Sequence, residues 1–122
     1  MLILVSGPSG SGKDYLLNSL TQADERYQIV QMCTTRESRG EGDKPHVSSE
    51  QMQDLHQQGS LIGYHTNELG IDYAYKLDDI LQAIQSGRDV ILEINPVSQK
   101  DIIHELAQHS IIPEGWICLL PE

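Results

Sequence analysis

The sequence is poor in basic side chains, with 8 lysine and arginine residues against 18 aspartate and glutamate residues and a formal net charge of −10. Proteins that bind DNA or RNA neutralise several phosphates with such cations, so this balance excludes a nucleic acid as the principal ligand. A small phosphorylated molecule is not excluded. Main-chain N–H groups and a few well-placed cations are enough to bind it within an otherwise acidic protein.

Cysteine pairs and long apolar runs are also missing. Cys33 and Cys118 are the only cysteines, and neither belongs to a C-x-x-C pair or stands near a ligand-spaced histidine, which favours free thiols. The apolar start, residues 1–5, is too short for a secretory or membrane-spanning segment, so we expect a cytoplasmic protein without a membrane partner. The absence of H-E-x-x-H and G-x-S-x-G patterns argues against catalytic zinc and against acyl transfer.

A chain of 122 residues, 39% of them hydrophobic, has the size of one domain with one principal core. Short apolar runs alternate with segments whose apolar residues recur at three and four residue steps, which predicts strands alternating with helices. The predicted strands are residues 2–5, 27–33, 61–65, 71–75, 90–94 and 116–120, and the predicted helices are 13 to about 22, 48 or 49 to 58, 77–85 and 97–109.

This order predicts an α/β fold with a mainly parallel sheet and flanking helices, interrupted by a polar loop at residues 34–45. The middle third of the chain is expected to form an insertion over the sheet. The last predicted strand is not followed by a helix that would cover it, so we expect the natural architecture to continue and the chain to be truncated at its C-terminus.

A glycine-rich segment follows the first predicted strand and matches the pattern G-x-x-x-x-G-K. Glycines allow the chain to curl around phosphate oxygens with main-chain N–H groups turned inward. Lys13 adds a cation for the outer phosphates, and the helix that begins there contributes the positive end of its dipole. The pattern therefore predicts a P-loop that binds ATP or a close relative. Its residues are Gly7, Pro8, Ser9, Gly10, Ser11, Gly12 and Lys13.

Asp14 stands where this pattern normally has serine or threonine, whose hydroxyl binds Mg²⁺. A carboxylate also coordinates Mg²⁺, but without the metal its charge opposes the phosphates. We predict that Asp14 is a metal ligand and that nucleotide binding depends strictly on Mg²⁺. The alternative is that Asp14 only caps the helix, because a carboxylate is favourable at a helix N-terminus in any case.

With T-T-R at residues 34–36, followed by R-G-E at residues 39–41, the chain resembles the guanylate kinase family of nucleoside monophosphate kinases. The segment G-R-D-V-I-L-E-I at residues 87–94 resembles that family's G-x-D-V-I-L-D-I strand. The resemblance implies a P-loop NTPase fold, in which residues from about 34 to 75 form a small insertion that binds a phosphorylated acceptor. It also implies phosphoryl transfer from ATP with Mg²⁺.

In this family the T-T-R arginine and the next arginine hold the acceptor phosphate, which by resemblance assigns Arg36 and Arg39, with Thr35 beside them. Guanidinium groups suit this task, because bidentate hydrogen bonds neutralise the phosphate and fix its direction. Together with Lys13, these arginines are the predicted catalytic residues. For Arg39 a solvated loop charge is the alternative, since the spacing before the glycine is one residue shorter than in the family.

Two further residues carry over from the resemblance. Tyr73 falls near a family tyrosine that touches the acceptor phosphate, although a half-buried structural tyrosine is the alternative. Glu93 resembles an acid on the metal or acceptor side. No arginine follows Arg88, whereas kinases of this family close a lid of arginines over the transferring phosphate, so nucleotide binding and turnover are predicted separately.

The departures from the family fall on base recognition. Family acids that read the guanine edge align with Gly63 and Asn95, and a small hydroxyl residue aligns with Met32, so selection of GMP loses its main physical basis. The G-K-D sequence at residues 12–14 is also similar to ribose 1,5-bisphosphate phosphokinases, whose acceptor has no base. The alternatives are therefore GMP or another monophosphate, ribose 1,5-bisphosphate, or a non-catalytic nucleotide-binding or interaction module.

Overall fold

The computed structural model describes residues 1–6, 17, 19, 22, 24–38, 40, 44–94 and 99–118. Within these ranges the chain forms one four-stranded and one three-stranded sheet. The strands are β1 (Leu2–Ser6), β2 (Tyr27–Val30), β3 (Cys33–Thr34), β4 (Leu61–Thr66), β5 (Asp72–Lys76), β6 (Asp89–Ile94) and β7 (Gly115–Cys118). The helices whose bounds are described are α1 (Ser49–Gln57), α2 (Leu77–Gln85) and α3 (Gln99–Gln108). Leu17, Ser19 and Gln22 also have helical backbone, within the helix predicted after residue 13.

The four-stranded sheet is parallel throughout and has the order β2-β6-β1-β7. Its central strands are almost continuously apolar because both of their faces are covered, and Leu4 in β1 and Leu92 in β6 are fully buried. The predicted α/β class with a mainly parallel sheet is confirmed. Ser6 is paired with Ile94 and with Cys118, so the carboxyl ends of β1, β6 and β7 meet at one edge.

The three-stranded sheet is antiparallel and has the order β3-β5-β4. Strands β4 and β5 confirm the predicted pair at 61–65 and 71–75, with ends that differ by one residue. The side-chain oxygen of Asn67 accepts two main-chain hydrogen bonds within the turn that joins them, at 2.9 and 3.0 Å. Gly70 supplies the positive φ of 78° at this turn. Helix α1 covers one face of the sheet through a separate apolar cluster.

The prediction of a single strand at residues 27–33 is wrong. Strand β2 ends at Val30 beside β6, whereas Cys33 begins β3 in the other sheet, where it is paired with Ala74. Gln31, between the two strands, is exposed. The run of strand-favouring residues continues across the point where the chain leaves one sheet for the other, so periodicity alone does not reveal the break.

The helix predicted at residues 77–85 is confirmed by α2. Helix α1 begins after Ser48, whose hydroxyl accepts a hydrogen bond from the Gln51 N–H at 3.1 Å while the Gln51 side chain accepts one from the Ser48 N–H at 2.9 Å. This reciprocal cap fixes the first turn. Gly59, with φ of 70°, follows the helix as predicted. No helix among the described residues is long and apolar enough to span a membrane.

Helix α3 ends at Gln108, one residue before the predicted end. Ser110 has a φ of 61°, and the N–H of Ile111 donates to the carbonyl of Leu106 at 2.9 Å. A left-handed residue after the last helical turn is a common helix end, and the position is normally occupied by glycine. Here Ser110 takes that position, the helix ends, and Ile111 packs in the same cluster as the buried Leu106. Of the last two predicted elements, residues 97, 98, 119 and 120 lie outside the described residues.

Both sheets contribute to one main core. Ile62 of β4 and Tyr75 of β5 belong to the same buried cluster as Leu4 and Leu92 of the parallel sheet, and α3 adds Ile102. The small sheet therefore turns one face to α1 and the opposite face to the rest of the protein. Side chains on that second face are the ones that lie near the parallel sheet.

Candidate functional site

The T-T-R segment runs beside β5 in the small sheet. Thr34 is fully buried and lies opposite Tyr73 in the ladder. The Thr35 N–H donates to the Asp72 carbonyl at 3.1 Å, and the Thr35 hydroxyl accepts from the Asp72 N–H at 2.9 Å. Thr35 thus extends the strand pairing past the end of β3 with its own side chain. Because its hydroxyl accepts in this bond, the hydroxyl hydrogen can still be donated to a ligand.

Arg36 is fixed at its main chain on both sides. Its N–H donates to the Thr34 hydroxyl at 3.1 Å, and its carbonyl accepts a hydrogen bond from Nδ1 of His46 at 2.8 Å. The carbonyl can only accept, so His46 carries hydrogen on Nδ1. Thr34 in turn pairs with both neighbours of His46, donating to the Pro45 carbonyl at 3.0 Å and accepting from the Val47 N–H at 2.9 Å. The side chain of the half-buried Arg36 therefore starts from a braced main chain.

Asp72 connects several parts of the small sheet. Its carboxylate accepts hydrogen bonds from the Thr66 hydroxyl at 2.6 Å and from the Tyr64 hydroxyl at 3.2 Å. The Tyr64 hydroxyl accepts one from Nε2 of Gln53 in α1, also at 3.2 Å, and the Tyr64 ring stacks on His56 with 4.4 Å between ring centroids. Asp72 therefore links α1, β4 and β5 at the residue that precedes Tyr73.

Tyr73 lies on the face of the small sheet that is turned away from α1. Side chains alternate along a strand, and Ala74 packs in the α1 cluster while Tyr75 packs in the main core, so Tyr73 shares the face of Tyr75. Its ring stacks on His65 of β4, with centroids 5.6 Å apart and planes inclined by 19°. His65 is held in turn by a hydrogen bond that its Nδ1 donates to the Gly63 carbonyl at 2.9 Å.

Glu93 lies on the parallel sheet, one residue before the end of β6 and opposite Val5 of β1. Its main-chain carbonyl accepts a hydrogen bond from the Tyr75 hydroxyl. Tyr75 is almost completely buried, and this burial raises its pKa, with the charge of Glu93 acting in the same direction. The hydroxyl therefore stays protonated and donates, which ties β5 to β6 close to the carboxyl edge of the parallel sheet.

The donor side of the predicted site and one acceptor residue, Arg39, lie outside the described residues. The donor-side positions are Gly7, Pro8, Ser9, Gly10, Ser11, Gly12, Lys13 and Asp14. Ser6, which directly precedes them in sequence, is buried and ends β1 at the sheet edge next to Glu93. Ligands of open parallel sheets bind at that edge. In the part of the chain that the structure describes, no three His, Cys, Asp or Glu side chains are grouped as metal ligands.

The structure places three of the predicted residues on the same strand pair and leaves a fourth apart. Thr35 bonds to Asp72, the neighbour of Tyr73, and Arg36 follows Thr35 in sequence. Glu93 belongs to the other sheet, and Tyr75 connects it to β5. Guanidinium and hydroxyl groups are side chains that can bind a phosphate through charge-assisted hydrogen bonds.

Gly63, one of the positions where the sequence departs from the resembled family, lies where the β4–β5 pairing is irregular and has φ of 69°. A Cβ at this position would lie 3.2 Å from the Ile102 side chain and 3.8 Å from Cε of Met32. Ile102 therefore fills the space that a side chain would need. The Gly63 N–H donates to Oε2 of Glu105 at 2.6 Å. Asn95, the other departure, lies outside the described residues.

Three supporting groups are absent from the sequence prediction, namely Asp72, His46 and the Tyr75 hydroxyl. The D-Y-A-Y alternation at residues 72–75 was a usable signal for Tyr75, because it puts both tyrosines on one face. No local pattern indicates the other two. His46 bonds to a main-chain carbonyl ten positions away, and Asp72 bonds to hydroxyl groups of a neighbouring strand.

A family model described as Guanylate kinase matches residues 1–112. The chain is similar to the guanylate kinase of Clostridioides difficile (strain 630), with 30% identity over 129 residues, covering 99% of this chain and 58% of that protein. It is also similar to the guanylate kinase of Desulfitobacterium hafniense (strain Y51), with 38% identity over 98 residues, covering 77% of this chain and 48% of that protein. The chain thus spans about half the length of these curated relatives.

Among solved structures, the chain is similar to a crystal structure of guanylate kinase from Anaplasma phagocytophilum. The TM-score is 0.60 at 17% sequence identity, and the match covers 98% of this chain and 58% of that one. At this identity the likeness concerns the fold alone. It agrees with the α/β architecture and with the small sheet set beside a parallel one.

Proposed function

This chain belongs to the guanylate kinase family, and from that membership we propose that it transfers the terminal phosphoryl group of ATP to a nucleoside monophosphate. GMP is the first candidate acceptor, because the relatives that the chain matches are named guanylate kinases. In this reaction an oxygen of the acceptor phosphate bonds to the transferred phosphorus, the bond to the bridging oxygen of ATP breaks, and ADP leaves.

The position of Thr35, Arg36 and Tyr73 on neighbouring stretches of the small sheet is the observation that supports this proposal most directly. In the proposal Arg36 binds the acceptor phosphate with its guanidinium group, and the two hydroxyl groups donate hydrogen bonds to it. The bond from His46 holds the main chain of Arg36, so less conformational entropy is lost when the phosphate binds. Residues from about 34 to 75 would then be the acceptor-binding part of a single domain.

The donor side of the proposal rests on residue chemistry. The main-chain N–H groups of residues 7–13 and the ammonium group of Lys13 bind the donor phosphates, and Asp14 coordinates Mg²⁺. Mg²⁺-ATP supplies the phosphoryl group with part of its charge neutralised. On the acceptor side, Arg39 binds the acceptor phosphate together with Arg36. Glu93 is assigned to the metal or acceptor side of the same sheet edge. We propose a cytoplasmic location, where ATP and Mg²⁺ are both present.

Coupled release of ADP, measured with MgATP and GMP, tests the proposal. Replacing Arg36 by lysine keeps the charge and removes the bidentate fork, so we expect the KM for the acceptor to rise about 10- to 100-fold. The KM for ATP should change little. Arg88→Lys is the matched control, because Arg88 is exposed in the turn before β6. Equal acceptor KM values for the Arg36 variant and for the wild type would contradict the assignment.

Calorimetry with MgATP separates the kinase from a non-catalytic module. Binding heat that Lys13→Ala removes, without ADP release for any acceptor, would indicate a nucleotide-binding module in place of a kinase. The complete absence of such heat would leave only an interaction module. These measurements are needed because the chain spans about half of the relatives it matches, so binding and turnover are separate properties.

Ribose 1,5-bisphosphate is the second candidate acceptor. It offers the phosphate that Arg36 would bind but no base, and the observation that favours it is Gly63, where Ile102 fills the space of any base-reading side chain. The G-K-D sequence at residues 12–14 points the same way. The assay with this acceptor in place of GMP decides between the two, since one of them should give the larger kcat/KM.

A further inference from the structure

A cleft with a volume of about 310 Å³ lies between β4 and α3. Its walls include Gly63 and His65 from the strand, and Asp101, His104 and Glu105 from the helix. The lining is therefore mixed: the helix side carries both carboxylates and one imidazole, the strand side carries the other imidazole, and Tyr64 and Ile102 add apolar surface. Ile102 of the main core forms part of the wall, but none of the residues predicted to contact phosphate lines the cleft.

The cleft opens on the same face of the small sheet as Tyr73. Along β5, Tyr75 packs in the main core and Ala74 packs in the α1 cluster. Because side chains alternate along a strand, Tyr73 lies on the same face as Tyr75, away from α1. The ring of His65 stacks on Tyr73 and also lines the cleft. The cleft is thus the continuation, across β4, of the surface that carries the predicted phosphate contacts.

Glu105 is held in this cleft by the irregularity of β4. The positive φ of Gly63 turns its N–H out of the regular ladder, and that N–H donates to Oε2 of Glu105 at 2.6 Å. A carboxylate has about four acceptor positions, so one main-chain donor orients the group and leaves most of its capacity for a ligand. The side chain is partly buried, which limits competition from water.

We propose that Glu105 reads the base of the acceptor nucleotide by accepting hydrogen bonds from two adjacent N–H donors of its edge. The inference rests on the proposed phosphotransferase function and adds to it the group that selects the base. Guanine offers such a pair of donors, N1–H and the exocyclic amino group, to a single carboxylate. Adenine offers an amino group beside an acceptor nitrogen, which would face the carboxylate charge unfavourably.

The spacing across the sheet agrees with a bound nucleotide. Glu105 contacts β4, whereas Thr35 and Arg36 follow β3, and β5 with Tyr73 lies between these strands. Two strand spacings separate the base side from the phosphate side by about 10 Å. A nucleoside monophosphate that lies across the three strands would place its phosphate at Arg36 and its base at Glu105, with the sugar over the Tyr73–His65 stack.

Glu105→Gln tests the inference with little risk to the fold. Glutamine has nearly the same volume and keeps an oxygen for the Gly63 N–H, but it has lost the charge and one acceptor. We expect the dissociation constant of GMP, measured by calorimetry, to rise about 10- to 100-fold. That of AMP and of ribose 5-phosphate should stay within about threefold. Glu68→Gln is the matched control, since Glu68 is exposed in the β4–β5 turn.

The outcomes separate this inference from the function on which it rests. Wild-type protein that binds GMP, with a Glu105→Gln variant that binds it equally well, overturns the role of Glu105 and leaves the kinase proposal intact. Wild-type protein that binds ribose 1,5-bisphosphate as tightly as GMP also overturns base reading. Failure of every phosphorylated acceptor to bind overturns both. The kinase proposal and the role of Glu105 are both supported if Arg36→Lys weakens the binding of every acceptor while Glu105→Gln weakens the binding of GMP alone.

Discussion

The hydroxyl of Tyr75 donates a hydrogen bond to the main-chain carbonyl of Glu93, and this bond crosses from the small antiparallel sheet to the parallel one. Tyr75 is 1% exposed and belongs to the main core, so the bond lies in a region without competing water. Glu93 adjoins the sheet edge from which the predicted P-loop follows. The bond therefore fixes the position of the acceptor-side sheet relative to the donor-side edge.

Replacing Tyr75 by phenylalanine should lower the free energy of unfolding by about 1 kcal/mol, because the buried hydrogen bond is lost while the ring remains. Urea unfolding monitored by circular dichroism measures this difference. Tyr73→Phe removes the same atom from a half-buried tyrosine on the same strand and serves as the control. We expect it to cost less stability and to weaken acceptor binding instead. An equal loss of stability in both variants would contradict the structural role of the Tyr75 hydroxyl.

Alkaline pH should reduce the advantage of wild-type protein over Tyr75→Phe. Burial raises the pKa of Tyr75 in the folded state, whereas in the unfolded state it stays at about 10. Above that pH the folded protein retains a proton that the unfolded chain releases, so stability falls as pH rises. Below it, both states are protonated and the contribution is complete. Unfolding curves of the two proteins between pH 8 and about 11 should converge; parallel curves would be evidence against a buried, protonated hydroxyl.

Gly63 and Gly59 allow backbone strain to be separated from packing. Both have a positive φ, 69° and 70°, but a Cβ at Gly63 would lie 3.2 Å from the buried Ile102 side chain, whereas one at Gly59 would meet nothing within 4 Å. Gly59→Ala should cost about 1 to 2 kcal/mol from the left-handed backbone alone. Gly63→Ala should cost at least about 1 kcal/mol more, because the core around Ile102 is closely packed. Thermal and urea unfolding of the two variants provide the comparison.

His46 should influence acceptor binding without contacting the acceptor. Its Nδ1–H group holds the carbonyl of Arg36, so His46→Ala removes this brace and should raise the KM for the acceptor about three- to tenfold. His46→Asn can place an amide N–H near the same carbonyl and should restore most of the affinity. The KM for ATP is expected to remain constant in both. An asparagine variant as impaired as the alanine variant would indicate that the imidazole ring has a different role.

The thiol of Cys33 should be unreactive in the folded protein. Cys33 is 2% exposed, and burial raises its pKa, so both access and the thiolate fraction are low. In a Cys118→Ser variant, which leaves Cys33 as the sole cysteine, labelling with a thiol reagent at about pH 8 should be at least about 100-fold slower than in urea. Similar rates in both conditions would show that the β3–β5 region opens readily.

Local patterns predicted the elements whose apolar residues recur at a regular spacing or form a continuous run. Helix α2 begins and ends where the spacing of its apolar residues indicates, and β1 was recognisable because parallel strands buried on both faces are continuously apolar. The strand at residues 27–33 was predicted wrongly because strand-favouring residues continue through Gln31, where the chain changes sheet. Which sheet a strand joins depends on distant partners, and the local sequence does not encode them.

The same limit applies to the candidate site. Thr35, Arg36 and Tyr73 could be selected from a family resemblance, and the structure places them on neighbouring stretches of one sheet. The hydrogen bond between Gly63 and Glu105 joins residues 42 positions apart and requires an irregular strand. No periodicity marks such a pair, since it depends on how α3 docks on β4. Contacts of this kind become visible only when the fold is known.

The strand order also determines when each sheet can form during synthesis. The small sheet and α1 lie between residues 33 and 76, so all their partners emerge from the ribosome close together. Strand β1 precedes the other described strands, but its neighbours in the sheet begin at Asp89 and Gly115. Sheets with such distant partners assemble slowly and expose apolar strands meanwhile. The nascent chain therefore carries an unpaired Leu2–Ser6 segment until β6 has been made, and such exposed apolar segments are what chaperones bind.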